Sequence, residues 1–184
     1  SLNNIWCLTY DKRCYLFNTR TYEYQDPFLF NKSLTNSVSK LYALGKGITW
    51  AVGMQNELYR IDENKFPATE SVELYSGRNE RDTIYGITQD KDGDEWILTN
   101  KGALIVGQKS ISNLMPFEFM VEVPGGIYLA TSKGFFTRYD TQSQDVLPCV
   151  PEQPISEITG LKSLADNKIV ILQNRSIILY DPVN

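Results

Sequence analysis

Short apolar runs of five or six residues, each bounded by Asp, Asn or Gly clusters, recur along this chain. The clearest stretch runs from Ile84 to Leu104. It reads as a strand (Ile84 to Gln89), an acidic Gly turn, a second strand opening on Trp96, a polar Gly turn and a third strand. Similar pairs of runs occur at 5–9 and 14–18, 48–53 and 57–62, 126–131 and 135–140, and 168–172 and 176–181. They are rich in Ile, Val, Tyr, Phe and Trp, which suit a pleated, half-buried surface. Asp92-Gly93 and Pro124-Gly125-Gly126 supply tight turns between them. No apolar stripe of helical period is sustained anywhere. The stretch 36–44 fits one helical turn or, through Val38, Leu41 and Leu44, a first strand.

Aligned on the residue that opens each second strand, the copies fall at Trp6, Trp50, Trp96, Tyr128 and Val170, with gaps of 44, 46, 32 and 42 residues. Three gaps lie near the ~40–50-residue period of propeller blades. The short third gap predicts a fourth strand that is brief or missing in the third copy. The expected fold is all-β: a partial β-propeller of about four to five blades, mostly four-stranded antiparallel sheets. The blades are expected at about 1–33, 34–79, 80–115, 116–154 and 155–184, within one domain. The first copy is expected to lack its first strand and the last its fourth, as in a piece of a larger ring. Open strand edges would then be templates for pairing with a second copy.

Composition adds exclusions. The chain has 184 residues, 42% of them hydrophobic, with 11 Tyr, 8 Phe and 3 Trp, enough for a core packed with large rings. A net charge of −4 without a Lys/Arg run argues against nucleic acid as partner. No run approaches the ~20 apolar residues of a membrane span, so membrane attachment is expected only through other segments. Histidine is absent, which removes the commonest general base and the commonest metal ligand. No enzyme activity, cofactor or metal is expected.

The phrase Asp90-x-Asp92-Gly93-x-x-Trp96-Ile97-x-Thr99-x-x-Gly102-x-Leu104 resembles the repeat of two-component regulator propellers. Gly126-Ile127-Tyr128-Leu129-Ala130-Thr131 with Gly134-Phe135 is a second copy, and Ile5-Trp6 with Thr9 is a third. The resemblance implies the periplasmic sensor part of a Bacteroides-type hybrid two-component system. It further implies detection of oligosaccharides and signalling through a change in dimer arrangement, with the remaining propeller and a homodimer partner as protein contacts. A propeller interaction scaffold is the alternative reading, and a carboxylate-dependent glycan-active enzyme the third.

Individual residues divide between structure and ligand contact. Trp6, Trp50 and Trp96 hold a fixed strand position and are expected to pack between sheets. Asp90, Asp92 and Asp94 alternate, but Gly93 and Lys101 stand where a calcium loop needs other residues. A polar hairpin is expected there. Thr9, Thr99 and Thr131 are placed to bind turn backbone. Cys7 and Cys14 would lie directly opposite across a two-residue turn at Tyr10-Asp11, but two free buried thiols are the favoured state. Ligand contact is expected on the rim formed by the turns after the second strands and the links between blades. The candidates are Arg78, Asn79, Arg81, Asp82, Tyr85, Asn100, Lys101, Lys133 and Arg175, beside the turn residues Gln55, Asn56, Ser132 and Asn174.

Overall fold

A computed structural model describes residues 3–30, 37–66, 68, 71–76, 82–107, 110–111, 115–124, 126–140, 143–151 and 153–182. These strands build five antiparallel sheets, each joining consecutive strands in chain order. The first sheet holds β1 (Asn4–Leu8), β2 (Cys14–Asn18) and β3 (Glu23–Gln25). The second holds β4 (Val38–Gly45), β5 (Ile48–Gly53), β6 (Leu58–Asp62) and β7 (Val72–Leu74). The third holds β8 (Ile84–Gln89), β9 (Glu95–Thr99), β10 (Gly102–Ile105) and β11 (Ser110–Ile111). The fourth holds β12 (Phe119–Val123), β13 (Gly126–Ala130), β14 (Phe136–Tyr139) and β15 (Val146–Pro148). The fifth holds β16 (Ile158–Ser163), β17 (Ile169–Gln173) and β18 (Ile177–Tyr180). The two-residue β11 is the brief fourth strand that the short third gap required. The stretch around Val38 is strand, not helix. Single 3₁₀ turns follow β3 at Pro27–Phe30 and β6 at Glu63–Lys65.

The chain divides into two compact units, residues 1–81 and 82–184. Inside each, sheets pack by one rule. Every sheet has an anchor face, which carries the residue at the position of Trp96, and a reverse face. In the first unit Trp6 and Cys14 of the first sheet's anchor face pack with Ala51, Tyr59, Ile61 and Val72 on the reverse face of the second. In the second unit Trp96, Leu98, Ala103 and Ile105 pack on Ile127, Leu129 and Tyr139. Tyr128, Ala130 and Phe136 pack in turn on Ile158, Ile169, Ile171 and Ile178. Alternation along each strand makes this possible, because successive side chains point to opposite faces.

Hairpin chemistry repeats as well. The turns at Thr9–Arg13, Gly53–Glu57, Asp90–Asp94, Thr131–Phe135 and Leu164–Lys168 are each closed by two backbone bonds, with the fourth residue at positive φ. That residue is Lys12, Asn56, Gly93, Gly134 or Asn167. These are three-residue hairpins with a left-handed last position.

This geometry corrects the register expected of the first hairpin, while the favoured state without a disulfide stands. Three turn residues instead of two shift the register by one, so Leu8 faces Cys14 and Cys7 faces Tyr15. The two thiols project from opposite faces and form no disulfide. Cys14 is buried, whereas Cys7 is only half-buried. Burial pushes the Cys14 thiol up to about 12.

Candidate functional site

The first unit contains a cleft of about 580 Å³. The first sheet contributes Asn4 and Trp6, and the second contributes Ala43, Gly45 to Thr49, Glu63 and Asn64. Its floor is set by the turn between β4 and β5. Gly45, Lys46 and Gly47 all hold positive φ, which folds the backbone back within two residues. At Gly47 a Cβ would lie 2.6 Å from Asn64 Nδ2, so any larger residue would both strain the backbone and displace the Asn64 amide.

Glu63 is the polar centre. It opens the 3₁₀ turn after β6, and its own N–H donates to Gly47 O at 2.8 Å. Trp6 Nε1 donates to Glu63 Oε1 at 2.7 Å. Asn4 Nδ2 donates to Oε2 at 3.4 Å, and Thr49 Oγ1 donates to Oε1 at 3.4 Å. Asn64 is fixed beside it, with Nδ2 donating to Lys46 O at 2.9 Å and to Asp62 Oδ1 at 3.0 Å. The result is a half-buried indole, a carboxylate oriented by side chains from two sheets, and amides on the rim. A concave site with apolar walls and a few fixed polar groups is the usual form of a small-molecule site.

Trp6 therefore departs from the expected core role in part. Trp50 and Trp96 are fully buried, but Trp6 is half-buried and forms a wall of the cleft. Trp96 instead donates within its own sheet, to Asp90 Oδ2 at 2.8 Å. Asp90 Oδ1 accepts from Asp94 N at 2.9 Å, and Gly93 lies at φ 94°, so the acidic turn is the expected polar hairpin. Among Asp90, Asp92 and Asp94, burial and the two neighbouring carboxylates raise the Asp94 carboxyl above its ordinary value.

The rim candidates lie elsewhere. Arg78, Asn79 and Arg81 fall outside the described residues. Asp82 is half-buried just before β8. Tyr85 is the extra residue of a bulge between Ile84 and Gly86 and is exposed. Bulges also interrupt β4 after Val38 and β16 after Ile158, so this is a repeated device for re-aiming a side chain. Asn100 N donates to Thr83 O at 3.1 Å, while Asn100 Oδ1 accepts from Thr83 N at 2.9 Å. That pairing brings Asn100 to the same end of the third sheet as Asp82. Lys101, Lys133 and Arg175 are exposed on turns of the third, fourth and fifth sheets. None of the six described candidates lines the Trp6–Glu63 cleft. The cleft draws instead on the turn between first and second strands. Its one sequence signal is Gly45-Lys46-Gly47, the densest Gly turn before the third copy.

No protein-family model matches this chain, and no curated protein matches it. Solved structures do. The chain aligns over 97% of its length, at a TM-score of 0.66 and 16% identity, with a protein described as the extracellular domain of the hybrid two-component system BT4673 from Bacteroides thetaiotaomicron. The corresponding domain of BT3049 from the same organism aligns over 96% at 0.64 and 13% identity. The chain shares its fold with these extracellular domains. It spans 25% of the length of each. Streptogramin B lyase aligns over 98% of this chain and 66% of its own, at 0.62 and 14% identity. At such identities the likeness is one of fold, and an enzyme shares it with sensor domains.

Proposed function

We propose that this chain is a partial β-propeller within one domain and the extracytoplasmic, periplasmic ligand-sensing part of a hybrid two-component regulator, with an oligosaccharide as ligand. The repeat phrase and the fold shared with extracellular domains of two-component systems support the sensor reading. The observation that carries the ligand is the Trp6–Glu63 pair in its cleft. An indole face stacks on the C–H surface of a sugar ring, and a pre-oriented carboxylate with neighbouring amides bonds hydroxyl groups. Orientation by Trp6, Asn4 and Thr49 lowers the ordering cost of binding.

An enzyme reading has less support. Glycoside hydrolysis uses two carboxyl groups flanking the bond. Among the described residues Glu63 is the only acidic one lining the cleft.

Titration calorimetry against an oligosaccharide panel tests the proposal. Binding by the parent chain, weakened at least tenfold in both Trp6→Ala and Glu63→Gln with unchanged circular dichroism, is expected. A panel without a binder, or a binder indifferent to both substitutions, overturns it.

A further inference from the structure

Among the described residues, the lining of the Trp6–Glu63 cleft holds one cation, Lys46, and one anion, Glu63. Lys46 and Gly47 are the two central residues of the turn between β4 and β5, where Gly45 pairs with Ile48. They hold φ at 52° and 78°, the two-residue hairpin turn that matches strand twist. The turn is tied down, because the Lys46 carbonyl accepts from Asn64 Nδ2 at 2.9 Å. The root of the Lys46 side chain is therefore fixed to the same 3₁₀ turn that carries Glu63.

Both carboxylates of that adjoining segment are taken by other donors. Asp62 Oδ1 accepts from Asn64 N at 3.1 Å and from Asn64 Nδ2 at 3.0 Å, and Asp62 Oδ2 lies 3.9 Å from Lys65 Nζ. Glu63 accepts from Trp6, Asn4 and Thr49. Lys65, Lys91 and Lys168 each face a carboxylate of the chain. Lys46, exposed at the cleft, faces none within ion-pair distance among the described residues. We infer that the ligand brings this partner: the cleft takes an acidic oligosaccharide, whose carboxylate or sulfate group pairs with Lys46 while a sugar ring covers Trp6 and hydroxyls reach Glu63. This rests on the sugar-binding reading of the cleft. The opposite charge is disfavoured, because the ammonium group of an amino sugar would have to compete with three side-chain donors for Glu63. A concave site with apolar walls also lowers the local dielectric, which strengthens a charge pair formed in it.

Calorimetry with matched ligand pairs tests this. Each uronic-acid oligosaccharide is run beside its methyl ester, and each sulfated one beside its unsulfated parent. The acidic member of a pair is expected to bind about fivefold more tightly than its neutral match, the order that one exposed ion pair supplies. The pairs that show the preference tell carboxylate from sulfate. The preference is expected to shrink as salt is raised. It is expected to vanish in Lys46→Gln and to persist in Lys46→Arg. Lys46 is exposed, so both variants are expected to fold, with circular dichroism as the check. Neutral sugars bound as tightly as acidic ones, with binding still weakened in Trp6→Ala and Glu63→Gln, would overturn the acidic ligand and leave the sugar reading standing. Tighter binding of an amino sugar, or a preference for acidic sugars that survives in Lys46→Gln, would overturn it as well. Binding of no sugar at all would overturn both.

Discussion

Trp96 Nε1 donates to Asp90 Oδ2 at 2.8 Å, across a hairpin whose other carboxylate oxygen holds Asp94 N. One side chain thus closes the turn and anchors the largest ring of the third sheet. A hydrogen bond to a charged partner contributes about 1.5–3 kcal/mol, and burying an orphaned donor costs more than the bond gained. Asp90→Ala is expected to destabilise the second unit by about 2–3 kcal/mol, read from urea unfolding. Asp90→Asn is expected to lose about half as much, because it keeps an acceptor but not the charge. Equal losses in the two variants would contradict the charge argument.

Gly134 and Gly107 separate backbone strain from collision. Both hold positive φ, at 90° and 82°. A Cβ at Gly134 would lie 2.8 Å from the carbonyl oxygen of Ile155, whereas at Gly107 it would meet no atom of the described residues within 4 Å. Gly107→Ala is expected to cost about 1 kcal/mol, the conformational term alone. Gly134→Ala is expected to cost about 2–3 kcal/mol, since backbone cannot swing aside as a side chain can. Thermal unfolding of both variants checks the order.

Strand positions were legible in the sequence because apolar alternation and turn residues set them locally. The register of the first hairpin was not. Lys12 takes a left-handed conformation that Gly or Asn takes in the other four hairpins of this type, and no residue type at that point announced it. The cleft was hidden for another reason. Trp6 and Glu63 are 57 residues apart and meet only when two sheets pack. Trp6, aligned with Trp50 and Trp96, read as core like them. What distinguishes it is its partner, which lies in another sheet.

Cys14 gives a pH signature. Its thiol titrates near 9.0 when unfolded and is pushed up to about 12 by burial. The folded state therefore keeps a proton that the unfolded state has released. Its contribution is fully present below pH 9 and is lost as pH rises towards 12. Cys14→Ala is expected to flatten the fall in stability across that window, measured by denaturant unfolding at a series of pH values. The buried tyrosines Tyr128 and Tyr139, raised chiefly by burial, act in the same direction in both proteins and cancel in the difference.

Thr99 tests the turn role of the threonines. Its hydroxyl donates to Gly102 O at 3.0 Å and accepts from Lys101 N at 3.1 Å, in a buried position. Thr9 and Thr131 accept from Arg13 N and Phe135 N in the same manner. Thr99→Val keeps the shape and removes both bonds, at an expected cost of about 1–2 kcal/mol. Amide hydrogen exchange at Lys101 is expected to quicken with it. Unchanged exchange would remove the hydroxyl from the account.

Among the described residues, each of the five sheets is made of strands consecutive in the chain. The three described strands of the first sheet can pair before residue 38 has been added, and each later sheet joins strands from its own short stretch. Loop-closure entropy is thus met in small instalments, and synthesis itself can order the folding from the first sheet to the fifth.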